Sequence, residues 1–167
     1  MDQITEILNS KHRKNEFSCG KDILDKYLHR QANQDLKRKL SVCFVLAESK
    51  TETLQGYYTL SNNSISFDSI PSDLQKKLPK SYSFIPVTLL GRLAIDKKFQ
   101  RKGIGKILLI DALKRCFEIS ESIGSFAVIV DPLDKEAESF YEKYGFIKLP
   151  DSGKMFLTMK TIKYLFE

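Results

Sequence analysis

Cysteine, histidine and long apolar runs are all scarce in this sequence of 167 residues, and each scarcity excludes a class of protein. The cysteines Cys19, Cys43 and Cys116 are odd in number and widely spaced, so they match neither a disulfide framework nor a metal site, and two isolated histidines do not complete one. No run of about 18 apolar residues occurs, so we expect no membrane span. The N-terminus lacks a basic start followed by an apolar stretch, so we expect no secretory signal. These absences together predict a protein of the reducing cytoplasm that binds no metal.

Acidic residues are scarce in one part of the chain. The net charge is +6 overall, but the window from Lys76 to Arg115 holds eleven basic residues against only Asp96 and Asp111, a local charge of +9. The remainder of the chain is therefore slightly acidic. A local excess of positive charge favours an anionic partner. A solvated basic surface is the alternative that charge alone leaves open.

The pattern of apolar residues predicts a mixed α/β fold in a single domain, residues 1–167, with enough apolar content (42%) to bury a core. Short β-branched and aromatic runs predict strands over 4–8, 41–48, 53–61 with an extension at 64–67, 87–95, 126–130 and 155–162. Helical spacing predicts helices over 23–39, 72–77, 104–120 and 134–144. A short polar link predicts an antiparallel hairpin of the second and third strands. A full helix between the strands at 87–95 and 126–130 predicts a parallel pair with a right-handed crossover.

The segment Gln100–Gly105 (QRKGIG) lies between a predicted strand and a predicted helix. Glycines let a phosphate approach the backbone closely, and the start of a helix offers free N–H groups and a favourable dipole. Arg101, Lys102 and Lys106 are placed to pair with phosphates. The sequence therefore predicts a site for a phosphorylated cofactor, and a helix that simply begins at a glycine turn is the structural alternative.

Two other phosphate-binding motifs are excluded at this segment. The dinucleotide fingerprint needs a further glycine three residues after Gly105, where Leu108 stands instead. A Walker A loop needs Gly-Lys-Ser/Thr after four intervening residues, and that sequence is absent.

The QRKGIG segment fits the Q/R-x-x-G-x-G/A signature of the GNAT superfamily of N-acetyltransferases, in the strand–loop–helix order of that superfamily. The resemblance implies the GNAT fold, with antiparallel N-terminal strands and a splayed parallel β-α-β unit, and acetyl-CoA as cofactor. Backbone groups of Leu93–Ile95 are then expected to hydrogen-bond the pantetheine arm and to polarise the thioester carbonyl. The implied cofactor-binding residues are Leu93, Ala94, Ile95, Gln100, Arg101, Lys102, Gly103, Ile104, Gly105, Lys106 and Phe140.

The same resemblance implies a catalytic acid. The leaving thiolate of CoA needs a proton, which the family usually supplies from a tyrosine on the helix after the second splayed strand. Tyr141 in the segment AESFYEKYGF matches that place. Ala137, Phe140, Tyr141 and Tyr144 also recur at helical spacing, so packing in the core is the structural alternative for Tyr141.

No residue carries the signature of a general base. Glu48, Asp96 and Asp131 are the candidates that the sequence offers. A lysine amine has a pKa near 10.4 and needs such a base, whereas an α-amine with a pKa near 7.7–8.0 is already substantially neutral. The absence therefore favours an α-amine acceptor.

Three further stretches resemble the GNAT toxins of bacterial toxin–antitoxin pairs. They are residues 17–28 with the pattern F-x-C-G…L-D-x-Y-L, Gly56–Ser61 (GYYTLS) and Ile85–Ala94 (IPVTLLGRLA). This resemblance implies acetylation of the α-amine of aminoacyl-tRNA, which halts translation, together with a ribbon-helix-helix antitoxin and a homodimer.

Basic side chains are then expected to contact tRNA phosphates. The residues that we expect to do so are Lys37, Arg38, Lys39 and Arg92, beside Lys76, Lys77 and Lys80. Lys37–Lys39 also have a structural explanation, because basic residues suit the C-terminal end of a helix.

Two other functions remain open. The first is a GNAT enzyme that acetylates a protein N-terminus, a lysine or a small amine, and the second is a non-catalytic GNAT-fold module that binds nucleic acid or a partner protein. The local positive charge and the toxin-like stretches favour the tRNA acceptor over the first, and the intact loop with Tyr141 argues against the second. No motif identifies the amino acid or the tRNA.

Overall fold

A computed structural model describes residues 3–167 as a mixed α/β fold with one seven-stranded sheet. Its strands are β1 (Glu6–Ile7), β2 (Val42–Ala47), β3 (Leu54–Ser66), β4 (Phe84–Ile95), β5 (Ala127–Val130), β6 (Ile147–Lys148) and β7 (Met155–Thr158). They lie in the order β1-β2-β3-β4-β5-β7-β6. The pairs β1–β2, β2–β3, β5–β7 and β6–β7 are antiparallel, whereas β4–β5 is parallel. The predicted fold class, hairpin and parallel pair are confirmed.

The helices are α1 (Asp22–Lys26), α2 (Ala32–Lys37), α3 (Ser72–Gln75), α4 (Ile104–Ser120), α5 (Lys135–Lys143) and α6 (Met159–Lys163). A π-helix, Tyr27–Gln31, joins α1 to α2 and was not predicted. One expectation was wrong: the last strand ends at Thr158 and α6 follows at once. Thr158 Oγ1 accepts a hydrogen bond from Thr161 N (3.2 Å), and such a cap starts a helix. Among the helices of residues 3–167, none is long and apolar enough to cross a membrane.

The first of two compact units contains the described residues up to Ser61 together with Leu90–Arg115. Its core holds Leu8, Phe17, Tyr27, Leu28, Cys43, Val45, Leu54, Tyr57 and Ala94 among others. Asp111 on α4 is buried, and its carboxylate accepts hydrogen bonds from Ile4 N (2.9 Å), Thr5 Oγ1 (2.5 Å) and Tyr58 Oη (2.7 Å). This network fixes the segment that leads into β1 against α4 and β3.

The second unit contains Asn62–Leu89 and Cys116–Glu167. All four residues of β5 are buried, as a strand covered on both faces requires. The parallel pairing joins Thr88 to Val128 and Leu89 to Ile129. Asp134 caps α5 through a hydrogen bond from Ala137 N (2.9 Å), and Gly145, at φ +95°, ends the turn after it.

Candidate functional site

The end of β4 carries the three residues expected to hold pantetheine. Ala94 is buried, while Leu93 and Ile95 are half-buried. Gly56 on β3 lies directly against this strand, because a Cβ added there would be 2.9 Å from Ala94 O and 2.6 Å from Leu108 Cδ1. The prediction of a close approach or a bulge at Gly56 is confirmed, and the β2–β3 register also shifts beside it. A glycine at this position therefore lets β3, β4 and α4 come together.

Asp96 begins the turn that follows β4, and both of its carboxylate oxygens are occupied. Oδ1 accepts from Lys98 N (2.9 Å) and Oδ2 from Ser18 N (3.0 Å), and the side chain is buried. Lys97 N in turn donates to Ser18 O (2.9 Å). Asp96 is therefore an anchor between this turn and the segment before α1. These two hydrogen bonds and its burial favour this structural role over that of a general base.

The other two candidate bases, Glu48 and Asp131, are exposed. Glu48 follows β2 at the hairpin turn, and Asp131 directly follows β5. Neither side chain forms an ion pair with a described residue within 4.0 Å.

Gln100 closes the same turn from its other end. Its Nε2 donates to Ile95 O and to Cys19 O, both at 2.8 Å. The amide hydrogens are therefore committed to two backbone carbonyls of this chain. The glutamine of the motif shapes the turn from which the glycines follow.

The backbone from Gly103 onward presents a row of free donors. Within residues 3–167, the N–H groups of Gly103, Ile104, Gly105 and Lys106 meet no acceptor, and the first helical hydrogen bond runs from Ile107 N to Gly103 O (3.3 Å). Free N–H groups of this kind, reinforced by the helix dipole, bind anions.

Conformation and charge support this row of donors. Arg101 and Gly103 both have positive φ angles, +62° and +79°, and that region suits glycine. A Cβ added at Gly103 would meet no atom of the chain within 4 Å, so the backbone conformation is what requires glycine there. Arg101, Lys102 and Lys106 are exposed and form no ion pair with any carboxylate in the described part of the chain. The geometry fits a diphosphate.

Tyr141 and Phe140 lie on α5, in the second unit. The Tyr141 ring is only 7% exposed and packs at 5.3 Å from the Phe140 ring and 5.2 Å from the Phe146 ring. Its hydroxyl forms no hydrogen bond to any residue in the range 3–167. Burial raises the pKa of Tyr141, so the phenol keeps its proton at neutral pH. The Tyr141 ring therefore packs in the core, as the alternative based on helical spacing predicted. Its hydroxyl carries a proton and has no hydrogen-bond partner among residues 3–167.

Four of the residues expected to contact tRNA have different surroundings. Lys37, Arg38 and Lys39 are exposed at the end of α2, where no carboxylate of the described chain pairs with them. Arg92 is half-buried on β4, and its guanidinium carbon lies 3.4 Å from the centre of the Tyr27 ring. The sequence placed Tyr27 on the apolar stripe of its helix and in the toxin-like stretch 17–28, and neither assignment indicated that it stacks on Arg92.

A cluster of Glu6, His12 and Glu52 brings three metal-ligand atoms within 4.8 Å of one another. His12 Nδ1 accepts from Asn9 N (3.0 Å), so the proton of a neutral imidazole lies on Nε2, 2.7 Å from Glu6 Oε1. That Nε2 therefore has no lone pair to offer an ion. A hydrogen bond therefore joins His12 to Glu6 of β1, and Glu52 of the β2–β3 hairpin lies 3.7 Å from the same nitrogen.

Several known proteins are similar to this chain in sequence and in fold. Residues 82–160 match the family described as an acetyltransferase (GNAT) domain. The chain is 35% identical over 150 residues to the tRNA-acetylating toxin of Mycobacterium tuberculosis, covering 89% of this chain and 87% of that protein. It is 30% identical over 164 residues to the probable toxin TacT of Sinorhizobium fredii, covering 93% and 90%.

Two solved structures of the toxin AtaT have the same fold. AtaT in complex with acetyl-methionyl-tRNAfMet superposes with a TM-score of 0.89 at 31% identity, covering 98% of each chain. A tyrosine-to-phenylalanine variant of AtaT, bound to acetyl-CoA and to the C-terminus of the antitoxin AtaR, superposes with a TM-score of 0.82 at 27% identity, covering 97% and 96%.

Proposed function

Because this chain belongs to the GNAT acetyltransferase family, alongside the tRNA-acetylating toxins, we propose that it transfers acetyl from acetyl-CoA to the α-amine of an aminoacyl-tRNA. The observation that carries the proposal is the row of free N–H groups from Gly103 to Lys106, flanked by unpaired cations. It is a site for a diphosphate at the position where this family binds CoA.

In this proposal, most of the residues that bind and orient the cofactor belong to the first unit. Gly103–Lys106 donate to the diphosphate, and Arg101 and Lys102 neutralise it. The edge formed by Leu93–Ile95 pairs with pantetheine, and one N–H there donates to the acyl carbonyl oxygen. A preorganised donor of that kind contributes about 3 kcal/mol to catalysis. When bound, acetyl-CoA supplies an activated acetyl group, and Phe140 adds an apolar contact.

Tyr141 is the proposed general acid. Its phenol is protonated at neutral pH because burial raises its pKa, and no acceptor among residues 3–167 competes for the proton of its Oη. Tyr141 Oη donates that proton to the departing sulfur. General acids of this kind contribute roughly a hundredfold or more to the rate.

The lack of a clear general base and the presence of exposed basic side chains both indicate which acceptor the chain uses. Asp96 is buried and accepts hydrogen bonds from two backbone N–H groups, which makes it a poor base for a lysine amine. The α-amine of an aminoacyl ester needs a general base less, since α-amines have pKa values near 7.7–8.0. Lys37, Arg38, Lys39 and Arg92 supply positive charge for RNA phosphates. These features favour aminoacyl-tRNA over a protein N-terminus, a lysine or a small amine.

The proposal extends to assembly. We propose that the whole chain, 1–167, works as one acetyltransferase domain in the cytoplasm, as a homodimer held inactive by a ribbon-helix-helix antitoxin. The support is that AtaT, which matches nearly the full length of this chain, binds an antitoxin segment and acetyl-CoA together.

The test is transfer of label from [¹⁴C]acetyl-CoA to total charged tRNA, with uncharged tRNA, a lysine-rich protein and spermidine as competing acceptors. We expect base-labile label on charged tRNA alone. Gly103→Asp is the matched control, because a carboxylate at φ +79° adds both strain and repulsion and removes acetyl-CoA binding. Label on protein or spermidine instead supports the alternative GNAT acceptors. Absence of acetyl-CoA binding by calorimetry supports the non-catalytic module.

A further inference from the structure

The guanidinium of Arg92 forms no ion pair within residues 3–167. Its guanidinium stacks on the Tyr27 ring with 3.4 Å between Cζ and the ring centre, yet no carboxylate in residues 3–167 lies within 4.0 Å of it. The side chain is half-buried, so water hydrates it only in part. A guanidinium stacked on a ring keeps its N–H edge free for a bidentate acceptor such as a phosphate.

The Tyr27 ring is fixed on several sides. Its Oη donates to the buried Asp35 carboxylate (2.9 Å). Its ring stacks against Tyr57, with centroids 6.4 Å apart and planes inclined by 18°. Tyr57 is itself held, because its Oη donates to Leu24 O (2.7 Å). The platform under Arg92 is therefore rigid.

The π-helix explains how Tyr27 reaches Asp35. Ala32 N donates to Tyr27 O, a bond five residues long instead of four. In a regular α-helix each residue turns by about 100°, so residues eight apart lie about 80° out of line. The extra residue in the π-turn lowers this rotation by about 100°, so Asp35 lies only about 20° away from Tyr27, on the same face of the helix. π-Turns of this kind occur frequently at functional sites.

We propose that Tyr27 is a positioning residue that presents Arg92 to a phosphate of the acceptor RNA. This inference rests on the proposed function. β4 runs from Arg92 through Leu93–Ile95 toward the diphosphate loop, so Arg92 lies on the side of the pantetheine edge away from that loop. An RNA 3′ end that brings its aminoacyl group to the thioester approaches from that side.

The experiment compares Tyr27→Phe, Tyr27→Leu, Arg92→Ala and the double variant Tyr27→Leu/Arg92→Ala. Tyr27→Phe keeps the ring under the guanidinium and its stacking on Tyr57 but loses the hydrogen bond to Asp35, so its KM for aminoacyl-tRNA is expected to rise less than that of Tyr27→Leu. Tyr27→Leu and Arg92→Ala are each expected to raise KM for aminoacyl-tRNA about tenfold while kcat and acetyl-CoA affinity stay unchanged. The double variant is expected to be no worse than Arg92→Ala, because the ring acts only through the guanidinium. Lys160→Ala, an exposed charge on α6, is the control for loss of one positive charge.

Binding of uncharged tRNA, followed by fluorescence anisotropy, separates this inference from the proposed function. If the wild type binds tRNA but acetylates none, the proposed function fails, and the weakening by Tyr27→Leu and Arg92→Ala still supports the inference. Additive effects in the double variant, an effect on kcat alone, or tRNA binding unchanged by Arg92→Ala overturns it. Arg92→Ala alters a side chain outside the core, so the test stands even where Tyr27→Leu lowers the unfolding temperature.

Discussion

The ring of Tyr141 packs in the core of the second unit, whereas its hydroxyl forms no hydrogen bond with residues 3–167. Removing the hydroxyl in Tyr141→Phe therefore leaves the packing against Phe140 and Phe146 in place. We expect unchanged acetyl-CoA affinity, an unfolding temperature within a few degrees of the wild type, and a kcat lower by about 10²-fold or more. Single-turnover acetyl transfer to charged tRNA measures this loss.

The matched control is Tyr144→Phe, which removes the hydroxyl of the half-buried tyrosine at the C-terminal end of α5. We expect little change in its kcat. The raised pKa of Tyr141 adds a second readout: the acid stays protonated as pH rises through 10, the ordinary pKa of tyrosine, so the rate does not fall there. A Tyr141→Phe enzyme with wild-type turnover would falsify the assignment.

The sequence allowed predictions about motifs of neighbouring residues. It did not allow predictions of hydrogen bonds between residues far apart in the chain. The glycines and cations of Gln100–Lys106 were assigned to a phosphate site because that chemistry depends on near neighbours in sequence, and the assignment stays a prediction. The carbonyl that Gln100 holds on Cys19 is 81 residues away, and the Ser18 N–H that Asp96 accepts is 78 residues away. No periodicity in the sequence encodes such pairs, so Gln100 and Asp96 were given other roles.

At the scale of elements, prediction succeeded where one signal dominated. The bounds of α4 match the predicted helix 104–120, because a glycine turn and a long apolar stripe mark it. The π-helix escaped detection because Tyr27, Leu28 and Ala32 fit the spacing of an uninterrupted helix. The strand predicted over 155–162 continued too far because apolar residues run on across the Thr158 cap.

Gly56 tests how tightly the elements of the site are packed. In Gly56→Ala the new Cβ would lie 2.9 Å from Ala94 O, a backbone atom that cannot move without β4. We expect the free energy of unfolding to fall by about 1–3 kcal/mol. We also expect weaker acetyl-CoA binding, because Ala94 belongs to the proposed pantetheine edge. Urea denaturation and calorimetry measure the two effects.

Gly153→Ala is the control for this substitution, since a Cβ added at Gly153 meets no atom within 4 Å. It is expected to leave both quantities unchanged. Stability that drops in Gly56→Ala without any loss of acetyl-CoA affinity would remove Ala94 from the cofactor site while leaving the packing argument intact.

At the scale of the whole molecule, the structure sharpens the charge asymmetry read from the sequence. The two acidic residues of the window 76–115, Asp96 and Asp111, are both buried and hydrogen-bonded. The exposed charge of that window is therefore entirely basic. Such a surface favours a polyanionic substrate through release of counterions, and it gives little advantage with a small amine.

Salt dependence is the measurement that distinguishes these substrates. If Lys37, Arg38, Lys39 and Arg92 each neutralise one phosphate, the slope of log(kcat/KM) for aminoacyl-tRNA against log[salt] is about −3. The rate then falls roughly 50- to 150-fold between about 50 and 200 mM salt. Replacing Lys37–Lys39 by serine is expected to reduce the slope to about −1, because of these four contacts only that of Arg92 remains. A slope that this triple substitution leaves unchanged would move the RNA contact away from α2, and a shallow slope in the wild type would favour a small-amine acceptor.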